Sequence, residues 1–111
     1  MISNADRRGA MRVRLNLPAR WEGALAQCEG DVVDLSATGC FVLTPDLLVR
    51  PDELLRIEIK LPEDDLWLNV WGEIVYQVPE IGFGIRFTYC SSEEEAALAR
   101  LIKAHEHNPA A

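Results

Sequence analysis

The sequence predicts a mainly β protein: a six-stranded antiparallel β-barrel with a C-terminal α-helix and a flexible basic N-terminal arm. Three observations lead there. From Leu15 onward apolar residues recur with period two, the mark of strands with one buried face. The breaks between these stretches are short and rich in turn chemistry: SATG, TPD, RPDE, PEDD and VPEIG. Near the C-terminus the period becomes helical, directly after a capping signal. Six short strands joined by short connections are best satisfied by closure, which leaves no row of unpaired backbone groups at an edge.

In chain order, residues 1–14 form the arginine-rich arm, residues 15–104 the barrel with its helix, and residues 105–111 a tail expected to fray. Strands are expected around Leu15–Trp21, Ala26–Leu35 and Cys40–Leu43. LLRIEIKL (54–61) then turns Leu55, Ile57, Ile59 and Leu61 inward and Arg56, Glu58 and Lys60 outward. LWLNVWGEIVYQV (66–78) places Leu66, Leu68, Val70, Ile74, Tyr76 and Val78 on one face, with Gly72 as a bulge or point of close approach. IGFGIRFTY (81–89) buries Ile81, Phe83, Ile85, Phe87 and Tyr89. Ser92 serves as N-cap with Glu95 completing a capping box, and Glu93 and Glu94 complement the helix dipole. Leu98, Leu101 and Ile102 form the stripe that lies against the barrel.

At 111 residues the chain is one domain, and with 49% hydrophobic and 26% charged residues its composition is that of a soluble globular protein. No apolar run approaches the roughly 20 residues of a membrane span, and MISNADRRGA lacks a signal-peptide core. A cytoplasmic location without membrane insertion is therefore expected. The net charge of −7 is unevenly spread: residues 1–20 hold five arginines against one aspartate, so they carry +4 and the rest carries −11. An acidic body repels long nucleic acid, whereas a small anion meeting only the arm avoids that penalty. Arg7, Arg8, Arg12, Arg14 and Arg20 include no lysine, which suits bidentate recognition of phosphate or a purine edge; the alternative is a solvated arm that favours solubility.

Catalytic chemistry is not in view. Cys28, Cys40 and Cys90 are odd in number, widely separated and flanked by apolar residues, so they read as small buried hydrophobes. His105 and His107 sit near the end of the helix at a spacing that does not converge on one face, so no metal site is expected. There is no phosphate loop of the Walker type and no nucleophile elbow. The carboxylates Glu63–Asp65 read as a solvated hairpin turn, and Trp21, Trp67 and Trp71 as packing groups. No enzyme and no cofactor are expected.

What remains is DLSATG (34–39). Asp34 and Ser36 fall on the same face of a strand, and Gly39 permits a positive φ or a close backbone approach. Asp34 or Ser36 can cap the turn through a side-chain hydrogen bond. Alternatively, a carboxylate pair of acceptors matches the adjacent N1–H and N2–H2 donors of guanine, while an arginine fork matches the opposite edge, O6 and N7.

RRGAMR contains Arg-x-x-x-Arg as Arg8 and Arg12, and 22 positions after Arg12 comes Asp34-x-Ser36-x-x-Gly39. This pair of motifs, together with WGEIV, GFGIRF and the acidic-capped helix, resembles the PilZ domain, a bacterial receptor for cyclic di-GMP. The resemblance covers most of the chain and implies the same barrel and helix. It further implies that Arg8 and Arg12 clamp phosphates and a guanine edge, that Asp34 and Ser36 hold guanine, and that Gly39 keeps the turn clear of the ligand. Arg7, just before the first motif arginine, implies two stacked ligands in place of one. Thr38 stands where the family often has glycine. The implied mechanism is an arm, mobile when empty, that folds onto the barrel around the ligand and signals to an unidentified protein partner. The competing expectations are a PilZ-like protein-interaction module that does not bind nucleotide, and an oligonucleotide binder, against which the acidic body argues.

Overall fold

In the computed structural model, which describes residues 11–22, 27–45, 53–62 and 66–110, the alternating residues build six strands whose inner faces meet in one core. Strand β1 (Val13–Glu22) buries Val13, Leu17, Ala19 and Trp21, and β2 (Gln27–Leu35) buries Cys28, Val32 and Leu35. Strand β3 (Gly39–Leu43) contributes Cys40 and Val42, and β4 (Leu54–Lys60) contributes Leu55, Ile57 and Ile59. Strands β5 (Trp67–Val78) and β6 (Gly82–Tyr89) add Leu68, Val70, Ile74, Phe83 and Ile85. All pairings are antiparallel, and the order β1-β2-β3-β6-β5-β4 closes on itself through a short β1–β4 seam at Ala19–Trp21. The expected six-stranded antiparallel barrel and C-terminal helix are observed, while residues 1–10 of the arm lie outside the described residues.

The barrel departs from strict alternation where its strands bulge. Register shifts between β5 and β6 fall at Trp71/Gly72 and at Ile74/Tyr76. Because a one-residue slip exchanges the two faces of a strand, Val75 and Tyr76 are both exposed, and Tyr89 faces outward opposite Trp71. Tyr76 and Tyr89 therefore correct the inward placement read from the sequence. Leu66 and Ile81, also expected inside, lie just before their strands and are exposed.

Helix α1 (Ser92–Ala104) is capped by Ser91, one residue before the expected Ser92. The Ser91 hydroxyl accepts from the Glu94 amide, and the Glu94 carboxylate accepts from the Ser91 amide. SSEEE offers two such boxes in adjacent registers, and the one used adds a residue to the helix. Ala97, Leu98 and Leu101 seat on the barrel, and no helix among the described residues is long and apolar enough to cross a membrane.

Both ends of the chain differ from expectation. Val13 and Arg14, assigned to the arm, are the first residues of β1. The tail does not fray at Asn108–Ala110: it turns back after α1 and pairs with β1 at Val13. Hydrogen-bonding capacity at the exposed start of β1 gives those last residues a place to dock.

Candidate functional site

Asp34 occupies the outward face of β2, at a bulge between Val32 and Asp34 that re-aims the end of the strand. Its register partners are Arg14 on β1 and Phe41 on β3. Two residues before Arg14, Arg12 reaches over and forks onto the carboxylate. Arg12 Nε donates to Asp34 Oδ1 at 3.1 Å and a terminal guanidinium nitrogen donates to Oδ2 at 2.6 Å. The Arg12 side chain is 51% exposed and that of Asp34 21%, so the pair sits at the surface and not in the core. The hydrogen bonds that Arg12 donates to Asp34 raise the guanidinium pKa above its ordinary value. Partial desolvation opposes this, while the electrostatic influence of the Asp34 carboxylate adds to it.

Phe41 lies beside Asp34, and its ring stacks on Tyr76 with centroids 5.9 Å apart and planes 25° from parallel. Both strands reach Gly84 in the register, from β3 through Phe41 and from β5 through Tyr76. A Cβ on Gly84 would lie 2.3 Å from the Tyr76 ring, so this glycine is what lets the ring settle over β6. The outcome is an aromatic floor that continues from the Arg12–Asp34 pair across β3, β6 and β5. Sequence reasoning missed both residues. Tyr76 was hidden by the bulge at Val75, but Phe41 has outward parity between Cys40 and Val42 and lies opposite a glycine-rich strand, a signal that was available.

Ser36 does not share Asp34's face. Strand β2 ends at Leu35, and Ser36 is buried in the turn that follows. Its hydroxyl oxygen accepts from the Thr38 amide at 3.1 Å and lies 3.1 Å from Thr38 Oγ1, while its own amide donates to Gly39 O. Of the two uses open to the Asp34/Ser36 pair, the capping of the turn falls to Ser36 and the outward carboxylate to Asp34. Thr38 fits the turn well: its hydroxyl joins that network and its carbonyl accepts from the Phe87 amide. At Gly39 the requirement is close approach and not a positive φ, since a Cβ there would meet the Ile85 carbonyl at 2.2 Å. Arg7 and Arg8 lie outside the described residues, as do Glu63–Asp65.

The remaining candidates are dispersed. Trp21 is buried edge-on against Phe83, Trp67 lies under the Arg20 guanidinium, and Trp71 is half-exposed, so the three indoles make no common platform. His105 is held by Leu101 O through Nδ1, and among the described residues no group of three His, Cys, Asp or Glu is arranged to hold a metal ion. Cys28 and Cys40 are buried and Cys90 half-buried, and none of the three forms a disulfide.

The chain is a closed six-stranded barrel with one helix, and an arginine–carboxylate pair lies where β1 begins beside β2. The PilZ domain model matches residues 6–104, and the chain belongs to that family. Among solved structures it is similar to the PilZ domain with c-di-GMP of YcgR from Escherichia coli, at 16% identity and a TM-score of 0.77 over 91% of this chain and 92% of that one. It is also similar to the Bacillus subtilis inhibitor of motility MotI/DgrA, at 19% identity and a TM-score of 0.74 over 88% of this chain. A third likeness is to the PilZ domain of CeSA from a cellulose-synthesizing bacterium, at 20% identity and a TM-score of 0.61 over 84% of this chain and 95% of that one. The chain spans about half the length of MotI/DgrA and of YcgR crystallised in complex with c-di-GMP, at 50% and 46%. No curated protein sequence matches it.

Proposed function

We propose that this protein is a cyclic di-GMP receptor whose N-terminal arm closes over the ligand and whose altered surface is read by a protein partner. The observation that carries the reading is the two-pronged Arg12–Asp34 pair. A guanidinium fork and the N1–H/N2–H2 edge of guanine present the same pattern, two parallel donors to one carboxylate. Arg12 therefore stands where the base would dock. On binding, guanine takes over the Asp34 oxygens and rests on the Phe41–Tyr76 floor. Arg12 is released towards O6/N7 or a phosphate, joined by Arg7 and Arg8. Ser36 and Gly39 contribute indirectly, by fixing the turn that follows the strand bearing Asp34. Asp34 is satisfied in both states, so the ligand does not have to meet an unpaired carboxylate.

The similarity to a YcgR domain bound to c-di-GMP supports the ligand class, and the motility inhibitor among the neighbours supports an output through another protein. One observation favours the competing reading, a protein-interaction module without nucleotide. The Ser36 hydroxyl is committed to its turn and the residue is buried, so it is not offered to a ligand.

Isothermal titration calorimetry separates the two. Saturable heat with cyclic di-GMP, and none with GTP or cyclic di-AMP, is the expected result, with a stoichiometry near two if Arg7 recruits a second, stacked ligand. Absence of heat from the folded protein at high micromolar ligand would favour the module.

A further inference from the structure

We propose that the C-terminal segment Asn108–Ala110 is a positioning strand for Arg12, so that ligand affinity is set in part from the far end of the chain. This rests on the cyclic di-GMP reading above. Strand β1 meets β4 only at Ala19–Trp21, so β4 does not flank the start of β1. The tail does so instead. Val13 bridges Pro109 in antiparallel sense, the Arg14 amide donates to Asn108 O at 2.8 Å, and the Ala110 amide donates to Arg12 O at 2.9 Å. Asn108 Nδ2 adds a contact to Arg14 O at 3.3 Å. Val13 and Pro109 thus face each other as the pair that exchanges no hydrogen bonds, the one position where a residue lacking N–H costs the ladder nothing. Proline at 109 and donors at 108 and 110 fit this docking register.

Val13 is wholly buried between the tail and Leu35 of β2, and the pairing of β1 with β2 begins at Val13. Arg12 lies one residue outside that ladder, and its carbonyl is held by Ala110. The tail is itself anchored, because the Asn108 amide donates to His105 O at the end of α1, whose Leu101 packs in the core. Through this chain of contacts the helix fixes the main chain from which the Arg12 side chain swings between Asp34 and the ligand. Without the tail the start of β1 loses its second partner, and Arg12 samples positions from which it reaches neither. Apparent affinity falls in proportion to the fraction of molecules still competent, so a drop in that fraction to about a tenth weakens binding about tenfold. Linkage requires the reverse as well: ligand that engages Arg12 tightens the tail.

The test compares cyclic di-GMP titrations of the full chain, a chain ending at Glu106, and Asn108→Ala. Hydrogen exchange at the Arg14 and Ala110 amides is then followed in the full chain with and without ligand. We expect about tenfold weaker binding for the shortened chain, a smaller loss for Asn108→Ala, and slower exchange at both amides on saturation. A purely structural tail would show only the slowing shared by the rest of the barrel core, so protection at these two amides beyond that of core amides marks the positioning role. If the full chain binds but both variants bind equally well, or the two amides gain no more protection than the core, the positioning role is refuted while the receptor reading stands. If the shortened chain does not fold, Asn108→Ala and the exchange data decide. If the full chain itself does not bind, it is the receptor reading that fails.

Discussion

Asp34 Oδ1 and Oδ2 are held by Arg12, and in the proposed complex the same two oxygens are offered to guanine, which makes Arg12 both competitor and ligand clamp. The two roles differ in size. An ion pair this exposed contributes about 0–1 kcal/mol, whereas a charge-paired arginine lost from a desolvated complex costs about 2–5 kcal/mol. Arg12→Ala should therefore bind cyclic di-GMP at least tenfold more weakly by calorimetry, and not more tightly, although it frees Asp34. Cys40 allows a second prediction. Burial, with the Asp34 charge adding to it, pushes its thiol up to about 12 from an ordinary 9.0. A folded-state pKa above the unfolded one contributes stability that is complete below pH 9 and is lost as the pH rises from 9 towards 12. Urea unfolding at pH 7 and pH 10 should show the decline, smaller in Cys40→Ala, and Cys40 should react with thiol reagents only on unfolding. Arg12, Asp34, Ser36 and Gly39 stood out in the sequence through the resemblance to the family's two motifs. What spacing did not convey was that Ser36 lies past the end of β2, because burial at a strand terminus depends on where the partner strand stops pairing.

The elements divide into those that alternation fixes and those that a bulge disturbs. Strand β4 follows its sequence pattern without exception, since it pairs in continuous register with β5 along its length. Strand β5 does not, and Tyr76 changes sides at its second register shift; no period-two reading can see a slip that exists only relative to β6. Two glycines make the consequence measurable. Gly84→Ala meets the ring of a half-exposed tyrosine that can swing away, so stability should change little while the Phe41–Tyr76 stack opens and cyclic di-GMP binding weakens. Gly39→Ala meets the Ile85 carbonyl, part of the β3–β6 ladder, and should cost about 1–3 kcal/mol in denaturant titrations. At the helix, Ser91→Ala should lose about 1 kcal/mol as an N-cap and Ser92→Ala only a few tenths, the reverse of the order that the sequence suggests.

For the molecule as a whole, closure into a barrel was legible because six amphipathic strands have no other way to cover their edges, and the helix because its cap and its stripe agree. The docking of the tail was not legible, since HEHNPAA carries no periodic signal and its partners lie 94 to 98 positions earlier in the chain. With +4 on the first 20 residues against −11 on the remainder, the receptor reading predicts weaker binding of an anionic ligand as salt rises. Titrations at low and high ionic strength should show a loss of affinity that diminishes in Arg12→Ala, which brings one cation fewer to the ligand. The exchange at Asp34 is best followed at Arg12 itself, through its side-chain Nε–H signal by nuclear magnetic resonance during a cyclic di-GMP titration. The signal should move in proportion to saturation as the guanidinium leaves Asp34 for the ligand. If the ligand saturates the protein and the Arg12 signal stays where it was, guanine does not replace Arg12 at Asp34, and the site lies elsewhere on the barrel.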